Sequence, residues 1–258
     1  MALASELGQL GSMTHLVGTL TTALPSDLNL LVADELDSTN RWGQSVTKCF
    51  PFGKVPPTVI VGLGQSQGRG RGGRVWQSAK GAGVWATWVG GLPQDRLPSL
   101  PIRAAVALCV ALEEEGVDGV GLKWPNDVLC QGRKLGGILC HSSVRNGQAV
   151  VVCGFGINFL HPGAALDEAI GLQEVIRHLD MTRVMAQCII SVDRLLRTED
   201  SGWQRLRDHY NVHQVGQEIR WHDRGQAVVG DFVGYNRQGH LRLKTAGKEH
   251  TYVAGEID

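Results

Sequence analysis

A glycine-rich loop that carries arginines is the part of the chain whose residue types point most directly to chemistry. It reads Gly68-Arg69-Gly70-Arg71-Gly72-Gly73 and is followed by Arg74. Glycines expose backbone N–H groups and let the chain approach a ligand closely, while guanidinium groups bind carboxylate and phosphate oxygens in pairs. The loop therefore predicts a site for an anionic ligand; a solvated linker is the alternative that this segment alone leaves open.

The charge pattern around the loop agrees with an anion site. Residues 1–37 contain five acidic and no basic residues, whereas residues 38–94 contain no acidic and seven basic residues. The whole chain balances 25 Lys and Arg against 25 Asp and Glu, so the positive field is local. On charge alone, a solvated basic face is the simpler explanation.

A second group of polar residues lies further along the chain. Lys123-Trp124-Pro125-Asn126-Asp127 is followed by Arg133-Lys134-Leu135-Gly136-Gly137. Proline restricts the backbone after a strand, so the polar residues behind it occupy a defined edge. Lys134 opens the next strand, where its ammonium can point into the same cleft. Ser38-Thr39-Asn40 and Gly154-Phe155-Gly156-Ile157-Asn158 complete the set.

The elements that must position these residues follow from hydrophobic patterning and turn signals. Asn146-Gly147 is typical of a tight hairpin turn, and short strands broken by glycine begin at about Val215. The pattern predicts a weakly patterned N-terminal segment over residues 1–30, an α+β core over 31–213 and a small β unit over 214–258. The predicted strands are 58–63, 75–89 and 119–123, with a hairpin of 134–144 and 148–154, and the predicted helices are 102–115, 181–196 and 202–209.

Composition excludes several classes of protein. The 258 residues lack an apolar stretch of the ~20 residues that a membrane span needs. The six cysteines contain no C-x-x-C pair, which argues against a zinc ribbon, a redox motif or a disulfide scaffold and favours small buried thiols kept reduced. The first basic residue is Arg41, so we expect no signal or transit peptide and a cytoplasmic location.

Two nucleotide-binding motifs are also disfavoured. Residues 68–73 satisfy G-x-G-x-x-G, but the following segment is strand-like, whereas a dinucleotide-binding turn needs a helix there. Neither Gly53-Lys54 nor Gly247-Lys248 is followed by Ser or Thr, so the chain has no Walker A loop.

Taken in order, the motifs resemble those of the biotin protein ligases. The matching segments are Asp37-Ser38-Thr39-Asn40, Gln65 with the arginine loop and Trp76, Lys123–Asp127, Arg133–Ile138 and Gly154–Asn158. The resemblance covers residues 34–160 strongly and 215–258 more weakly, through the β pattern and Gly255-Glu256-Ile257. It implies a class II synthetase-like mixed sheet with helices, followed by a small SH3-like β-barrel.

The resemblance also implies a two-step reaction. Biotin and Mg-ATP give biotinyl-5′-AMP and pyrophosphate, and the biotinyl group then passes to a lysine of the biotin carboxyl carrier protein of acetyl-CoA carboxylase. Carried over, Lys134 and Arg71 are the catalytic residues, Lys134 between the biotin carboxylate and the α-phosphate and Arg71 as a phosphate clamp. The cofactors are ATP and Mg²⁺, and Mg²⁺ comes with ATP rather than at a metal site of the protein.

The remaining site residues divide between the two ligands. Trp76 forms a wall beside the biotin tail, and packing in the core is an equally good explanation for it. The residues expected to bind biotin are Ser38, Thr39, Asn40, Gln65, Arg69, Gly70, Arg71, Lys134 and Trp76, and those expected to bind ATP are Arg69, Arg71, Asn126 and Asn158.

The sequence departs from the family pattern in two places. Gly72 stands where some relatives carry another arginine, which affects how the loop orders and how tightly the adenylate is retained. Only 37 residues with a net charge of −5 precede Ser38, whereas a helix-turn-helix domain needs more residues and a basic surface. We therefore expect no DNA-binding partner and no membrane partner; a homodimer is possible because family members are often dimers.

Three other functions remain open from the sequence. A lipoate ligase or octanoyl transferase would use the same core fold. A nucleic-acid-binding module would use the basic loop and the β unit, although the loop lacks interleaved aromatic residues. A regulatory relative without activity would have lost some of the matched positions, and none of them is lost.

Overall fold

The computed structural model describes residues 13–163, 166, 168–199 and 202–258. Its helices are α1 (Met13–Ala23), α2 (Thr39–Lys48), α3 (Leu100–Glu114), α4 (Met181–Arg197) and α5 (Trp203–Tyr210). Its strands are β1 (Asn29–Leu36), β2 (Thr58–Gln65), β3 (Gly83–Pro93), β4 (Val120–Lys123), β5 (Asp127–Cys130), β6 (Arg133–Arg145), β7 (Gln148–Asn158), β8 (Glu218–Asp223), β9 (Gln226–Tyr235), β10 (Leu241–Thr245), β11 (Lys248–Tyr252) and β12 (Glu256–Ile257).

The first seven strands form one mixed sheet in the order β1-β2-β3-β7-β6-β5-β4. β1 and β2 pair in parallel and the other neighbours pair antiparallel. β6 and β7 form the predicted hairpin, and its turn has Asn146 at φ 51° and Gly147 at φ 74°. A two-residue turn of this kind needs positive φ at both positions, so the hairpin prediction is confirmed.

The two faces of this sheet bury different apolar residues because side chains alternate along a strand. On one face Val59 and Val61 of β2 belong to the large core, which also contains residues of α1, α3 and α4. On the other face Ile60 packs with Val150 and Val152 under α2. α2 covers only part of that second face, and the uncovered part is available to a ligand.

The helices of the large core follow the signals in the sequence. α3 has Pro101 in its first turn. Gly116, which follows the C-cap residue Glu115, adopts φ 82°, the conformation that suits glycine at a helix C-terminus. α4 begins at the cap residue Asp180, whose carboxylate accepts the Arg183 N–H at 3.0 Å. In the described residues no helix combines the length and the apolar composition that crossing a membrane requires.

The small C-terminal β unit is confirmed as a five-stranded antiparallel sheet in the order β11-β10-β9-β8-β12. Its inner residues, among them Trp221 and Phe232, belong to the same apolar cluster as α3. Trp124 reaches across and donates its indole N–H to the Gly239 carbonyl at 3.0 Å. Because the two sheets share a core, the boundary at residues 213/214 stays a prediction.

The structure adds elements that the sequence analysis did not predict, among them α1, β1, α2 and β5, and it corrects the start of one strand. α1 and the start of β1 lie within residues 13–30, which the sequence analysis described only as weakly patterned; residues 1–12 lie outside the described residues. The strand predicted over 75–89 begins only at Gly83, because Gly81 adopts φ 73° and breaks the extended backbone. Residues 75–82 therefore belong to the connection that follows the arginine loop.

Gly43 of α2 and Gly18 of α1 give a matched test of the packing of α2 on the sheet. A Cβ at Gly43 would lie 2.8 Å from Val152 and 2.9 Å from Thr87, whereas a Cβ at Gly18 would meet nothing within 4 Å. We expect Gly43→Ala to lower the free energy of unfolding by about 1–3 kcal/mol through overpacking. Gly18→Ala should raise it by about 1 kcal/mol through helix propensity alone. Urea unfolding of both variants checks this, and equal effects would contradict the tight packing of α2.

Candidate active site

A cavity of about 1270 Å³ opens on the face of the large sheet that α2 leaves uncovered. The arginine loop and the end of β12 form its other sides. All of the site residues expected from the sequence lie on its wall: Ser38, Thr39, Asn40, Gln65, Arg69, Gly70, Arg71, Trp76, Asn126, Lys134 and Asn158. The structure thus brings together segments that are far apart in the sequence, while the role of each residue in binding stays a prediction.

The floor of the cavity depends on glycines of β7. A Cβ at Gly154 would lie 2.8 Å from Asn40 Nδ2, and a Cβ at Gly156 would lie 2.8 Å from Trp76 Nε1. Trp76 packs edge-on against Trp85, with ring centroids 6.5 Å apart. Glycine at these positions lets the Asn40 amide and the Trp76 indole lie directly on the sheet.

The polar end of the cavity is built at the start of α2. The Thr39 N–H and hydroxyl donate to Gln65 Oε1 at 2.8 and 3.1 Å, and the Thr87 hydroxyl donates to Thr39 Oγ1 at 2.9 Å. Asn40 Nδ2 donates to the Leu139 carbonyl at 3.0 Å. These neutral groups are buried, or half-buried in the case of Gln65, and are held in place, so they suit a polar but uncharged part of a ligand.

Ser38 occupies the N-cap position of α2 without using its side chain as a cap. Its hydroxyl makes no hydrogen bond to any residue that the structure describes and so remains available on the cavity wall. The Ser38 N–H donates to Asp37 Oδ1 at 2.7 Å. Burial opposes the ionisation of Asp37, but this N–H and the Arg41 guanidinium outweigh it and lower the pKa of the carboxyl. The charged Asp37 anchors this end of the helix.

The arginine loop folds back on itself beside the cavity. The Gly70 N–H donates to the Arg74 carbonyl at 2.8 Å, and the Trp76 N–H donates to the Gly68 carbonyl at 3.0 Å. The turn between them requires Gly72 at φ 63°, within the left-handed region that favours glycine. An arginine at position 72 would be strained there, so glycine at this departure from the family pattern has a local structural reason.

Arg71 connects the loop to two other parts of the chain. Its guanidinium donates to Asn126 Oδ1 at 2.8 Å and to the Gly255 carbonyl at 3.1 Å. Both acceptors are neutral, so no carboxylate compensates the charge of the Arg71 guanidinium through these bonds.

Arg69 makes no hydrogen bond or ion pair within the described part of the chain. Burial lowers the pKa of His141, and the nearby charge of Arg69 lowers it further.

Lys134 faces the cavity from the start of β6. Its ammonium lies 2.8 Å from Asp127 Oδ2 and 5.6 Å from the centroid of the Trp76 ring. Asp127 received no role from the sequence, although it is the last residue of the 123–127 motif. The Asp127 carboxylate and the Trp76 ring together hold the lysine ammonium beside the indole on the cavity wall.

The two asparagines expected near ATP are both buried on the wall. Asn126 donates its amide to the Ile138 carbonyl at 2.9 Å and accepts from Arg71. Asn158 Nδ2 lies 3.3 Å from the Ile170 carbonyl, and its Oδ1 is bonded to no described residue. The two asparagines therefore differ. Both the nitrogen and the oxygen of the Asn126 amide are hydrogen-bonded, whereas the Asn158 amide oxygen is available as an acceptor.

The sequence also missed the contribution of the second sheet. His222, Glu256 and Asp258 line the cavity, and Glu256 forms an ion pair with Arg74. The only sequence signal for this contribution was the short match at Gly255-Glu256-Ile257. Cationic side chains nevertheless outnumber carboxylates on the wall; the cations are Arg69, Arg71, Arg74, Lys123, Arg133 and Lys134, and the carboxylates are Asp127, Glu168, Glu256 and Asp258.

The cavity thus joins a neutral polar end to a cationic end. An excess of fixed positive charge stabilises bound phosphate and carboxylate groups. Among the described residues no three His, Cys, Asp or Glu side chains are grouped so that they could hold a metal ion. The arrangement can bind a ligand that is neutral at one end and anionic at the other.

Comparison with known proteins agrees with this geometry. Residues 34–158 match the biotin/lipoate A/B protein ligase family. The chain is 34% identical over 230 residues to the bifunctional ligase/repressor BirA of Bacillus subtilis, covering 84% of this chain and 70% of that protein. It is 29% identical over 220 residues to the biotin--[acetyl-CoA-carboxylase] ligase of Mycobacterium tuberculosis, covering 79% of each.

The fold is shared with solved structures. The biotin protein ligase of Aquifex aeolicus, in complex with biotin and ATP, superposes with a TM-score of 0.68 at 24% identity, covering 89% of this chain and 97% of that one. Fold, motifs and relatives define one class of protein. The chain belongs to the biotin protein ligases, within the biotin/lipoate A/B protein ligase family.

Gly156 and Gly137, which face each other on β7 and β6, test the floor of the cavity. A Cβ at Gly156 would lie 2.8 Å from the Trp76 indole nitrogen, whereas a Cβ at Gly137 would lie at an ordinary 3.4 Å from the same ring. We expect Gly156→Ala to displace Trp76 and to lower the free energy of unfolding by about 1–3 kcal/mol. Gly137→Ala should do neither. Near-UV circular dichroism and urea unfolding of the pair report both effects, and a Gly156→Ala protein that matches the Gly137→Ala control would be inconsistent with this floor.

Proposed function

We propose that this protein is an ATP-dependent biotin protein ligase. It activates biotin as biotinyl-5′-AMP with release of pyrophosphate and then transfers the biotinyl group to one lysine of a biotin carboxyl carrier protein, that of acetyl-CoA carboxylase. The observation that carries the proposal is that a neutral polar pocket adjoins an excess of cations within one cavity. Biotin has a neutral ureido ring at one end and a carboxylate at the other, and matches that polarity.

The difficulty of the first step is the approach of two anions. A carboxylate oxygen of biotin attacks the α-phosphorus of ATP, a new P–O bond forms, and the bond to the departing pyrophosphate breaks. Positioned cations lower the repulsion and stabilise the charge that develops in the transition state. Lys134, held 2.8 Å from Asp127, and Arg71, held by neutral oxygens, are the cations that we assign to this task.

The substrate pocket follows from the same polarity. Ser38, Thr39 and Asn40 at the start of α2, together with Gln65, supply hydroxyl and amide groups for the ureido ring. Trp76 supplies an apolar wall for the aliphatic tail. Arg69 and Gly70 close the loop over the carboxylate end, where the Arg69 guanidinium is available to it.

The nucleotide lies on the cationic side in this proposal. Asn126 orients Arg71 through their 2.8 Å hydrogen bond, and Asn158 offers an amide oxygen toward ATP and its Mg²⁺. Mg²⁺ enters with ATP and neutralises part of the phosphate charge. In the second step the amine of the carrier lysine attacks the acyl carbon of the adenylate, and AMP leaves with the bonding electrons of the broken C–O bond.

Pyrophosphate release tests the adenylation step directly. Purified protein, Mg²⁺ and ATP are incubated with biotin, lipoate or octanoate in parallel. Release that depends on biotin, followed by labelling of a carrier domain, is the expected result. Release with lipoate alone would agree with the fold but contradict biotin as the substrate. No release with any of the acids would contradict the enzymatic function.

Lys134 and Lys80 give a matched pair of ion-paired lysines. Lys134 pairs with Asp127 inside the cavity, whereas Lys80 pairs with Asp34 at 2.6 Å on an exposed surface away from it. We expect Lys134→Ala to reduce the rate of pyrophosphate release by about 100-fold or more, as for loss of a charge that stabilises a transition state. Lys80→Ala should leave the rate unchanged, and both variants should unfold like the parent protein. A folded Lys134→Ala protein with the rate of the control would remove Lys134 from the mechanism.

A further inference from the structure

Two cysteines face each other across β6 and β7. Cys140 and Cys153 are direct partners in the antiparallel register, and the Cys140 thiol donates to the Cys153 sulfur at 3.3 Å. Both are free thiols. No part of the ligase chemistry described above uses them.

The register places the pair at a position where a disulfide fits. The Ile138 N–H and carbonyl both bond to Asn126, on the side away from β7. Ile138 and its partner on β7 are therefore a non-hydrogen-bonded pair, and so are Cys140 and Cys153 two residues on. The Cα atoms in such a pair lie about 4.5 Å apart, within the range of about 4.4–6.8 Å that disulfides span.

The pair lies directly beneath the floor of the cavity. Cys153 belongs to the large core, on the face of the sheet that α1, α3 and α4 cover. The residues beside the pair, Leu139 and Gly154, point to the opposite face and line the cavity. Asn40 rests on both of them, because its amide donates to the Leu139 carbonyl at 3.0 Å and lies 2.8 Å from where a Gly154 Cβ would be.

We propose that Cys140 and Cys153 form a reversible disulfide that weakens biotin binding by moving the strands on which Asn40 rests. The bond brings the two sulfurs closer than their present contact, so β6 and β7 shift locally at Leu139 and Gly154. The effect on biotin rests on the function proposed above; formation of the bond does not.

The chemistry needs only a small disulfide as oxidant, such as oxidised glutathione. Cys140 is the less buried residue of the pair, so its thiolate attacks first and displaces one thiol from the oxidant. Cys153 then attacks the sulfur of Cys140 and displaces the second thiol. The protein loses two protons and two electrons, and the oxidant becomes two thiols.

The pair is slow to oxidise at neutral pH. Burial, together with the neighbouring Cys153, raises the pKa of the Cys140 thiol. The thiolate is the attacking species, so oxidation is slow until an oxidant accumulates. The pair therefore responds to sustained oxidising conditions.

The test compares three forms of the full-length chain: the unaltered protein, Cys140→Ala, and Cys49→Ala, which removes the exposed cysteine and keeps the pair. Each is treated with oxidised glutathione, and digestion without reductant followed by mass spectrometry identifies linked peptides. Titration calorimetry measures biotin affinity before oxidation, after oxidation and after dithiothreitol. We expect a peptide linking Cys140 to Cys153 in the unaltered and Cys49→Ala proteins only. Their biotin affinity should fall about threefold to tenfold, the equivalent of one hydrogen bond, and recover with dithiothreitol.

Each other outcome contradicts a definite part of the proposal. Absence of the linked peptide, under conditions that oxidise Cys49, overturns the disulfide. A linked peptide with unchanged biotin affinity overturns its effect on the site. If the reduced protein fails to bind biotin, the proposed function and the effect on it both fall, and the peptide map still decides whether the bond forms. Should Cys140→Ala be unstable, Cys140→Ser keeps the shape of the side chain and serves in its place.

Discussion

The site depends on positive charge inside the cavity. Several cations must face one cavity, and carboxylates must not neutralise the charge of all of them. The Arg71 guanidinium meets this requirement by donating to two neutral oxygens, the side chain of Asn126 and the carbonyl of Gly255. Neutral acceptors fix the direction of the guanidinium and leave its charge for a ligand. These bonds also join the arginine loop to the edge of the large sheet and to the last strand of the small one. The second sheet therefore completes the wall as well as extending the core.

A second requirement is close approach of polar side chains to the sheet. Gly154 and Gly156 remove the Cβ atoms that would otherwise lie within 3 Å of Asn40 and Trp76. Gly43 lets α2 pack closely on the same face, next to the cavity. One part of that face is consequently core beneath α2, and the part beside the N-terminus of α2 is the binding pocket. Packing and binding thus share one surface of the sheet. For this reason a disulfide formed at Cys140, beneath the cavity floor, displaces the strands on which Asn40 rests.

The sequence predicted those elements whose own residues carry the signal. The β6–β7 hairpin follows from Asn146-Gly147, and α3 follows from an apolar helical period between proline and glycine. α2 was missed because its ten residues include threonines and Gly43, and its helix is stabilised by the sheet rather than by local propensity. The loop over residues 75–82 was taken for strand because its alternating pattern continues that of β3. Asp127 and Glu256 were missed as wall residues because nothing local marks a carboxylate as the partner of a distant cation.

By itself the sequence determined the family, the chemistry of the side chains and an α+β fold with a small β unit behind it, because motifs, turn residues and hydrophobic periods are local. Only the tertiary structure decided which of these residues meet. Lys134 lies beside Asp127 and over Trp76, Arg71 lies between Asn126 and the final strand, and Cys140 touches Cys153 beneath Asn40. Such contacts depend on strand register and on the packing of distant segments, which no local signal specifies.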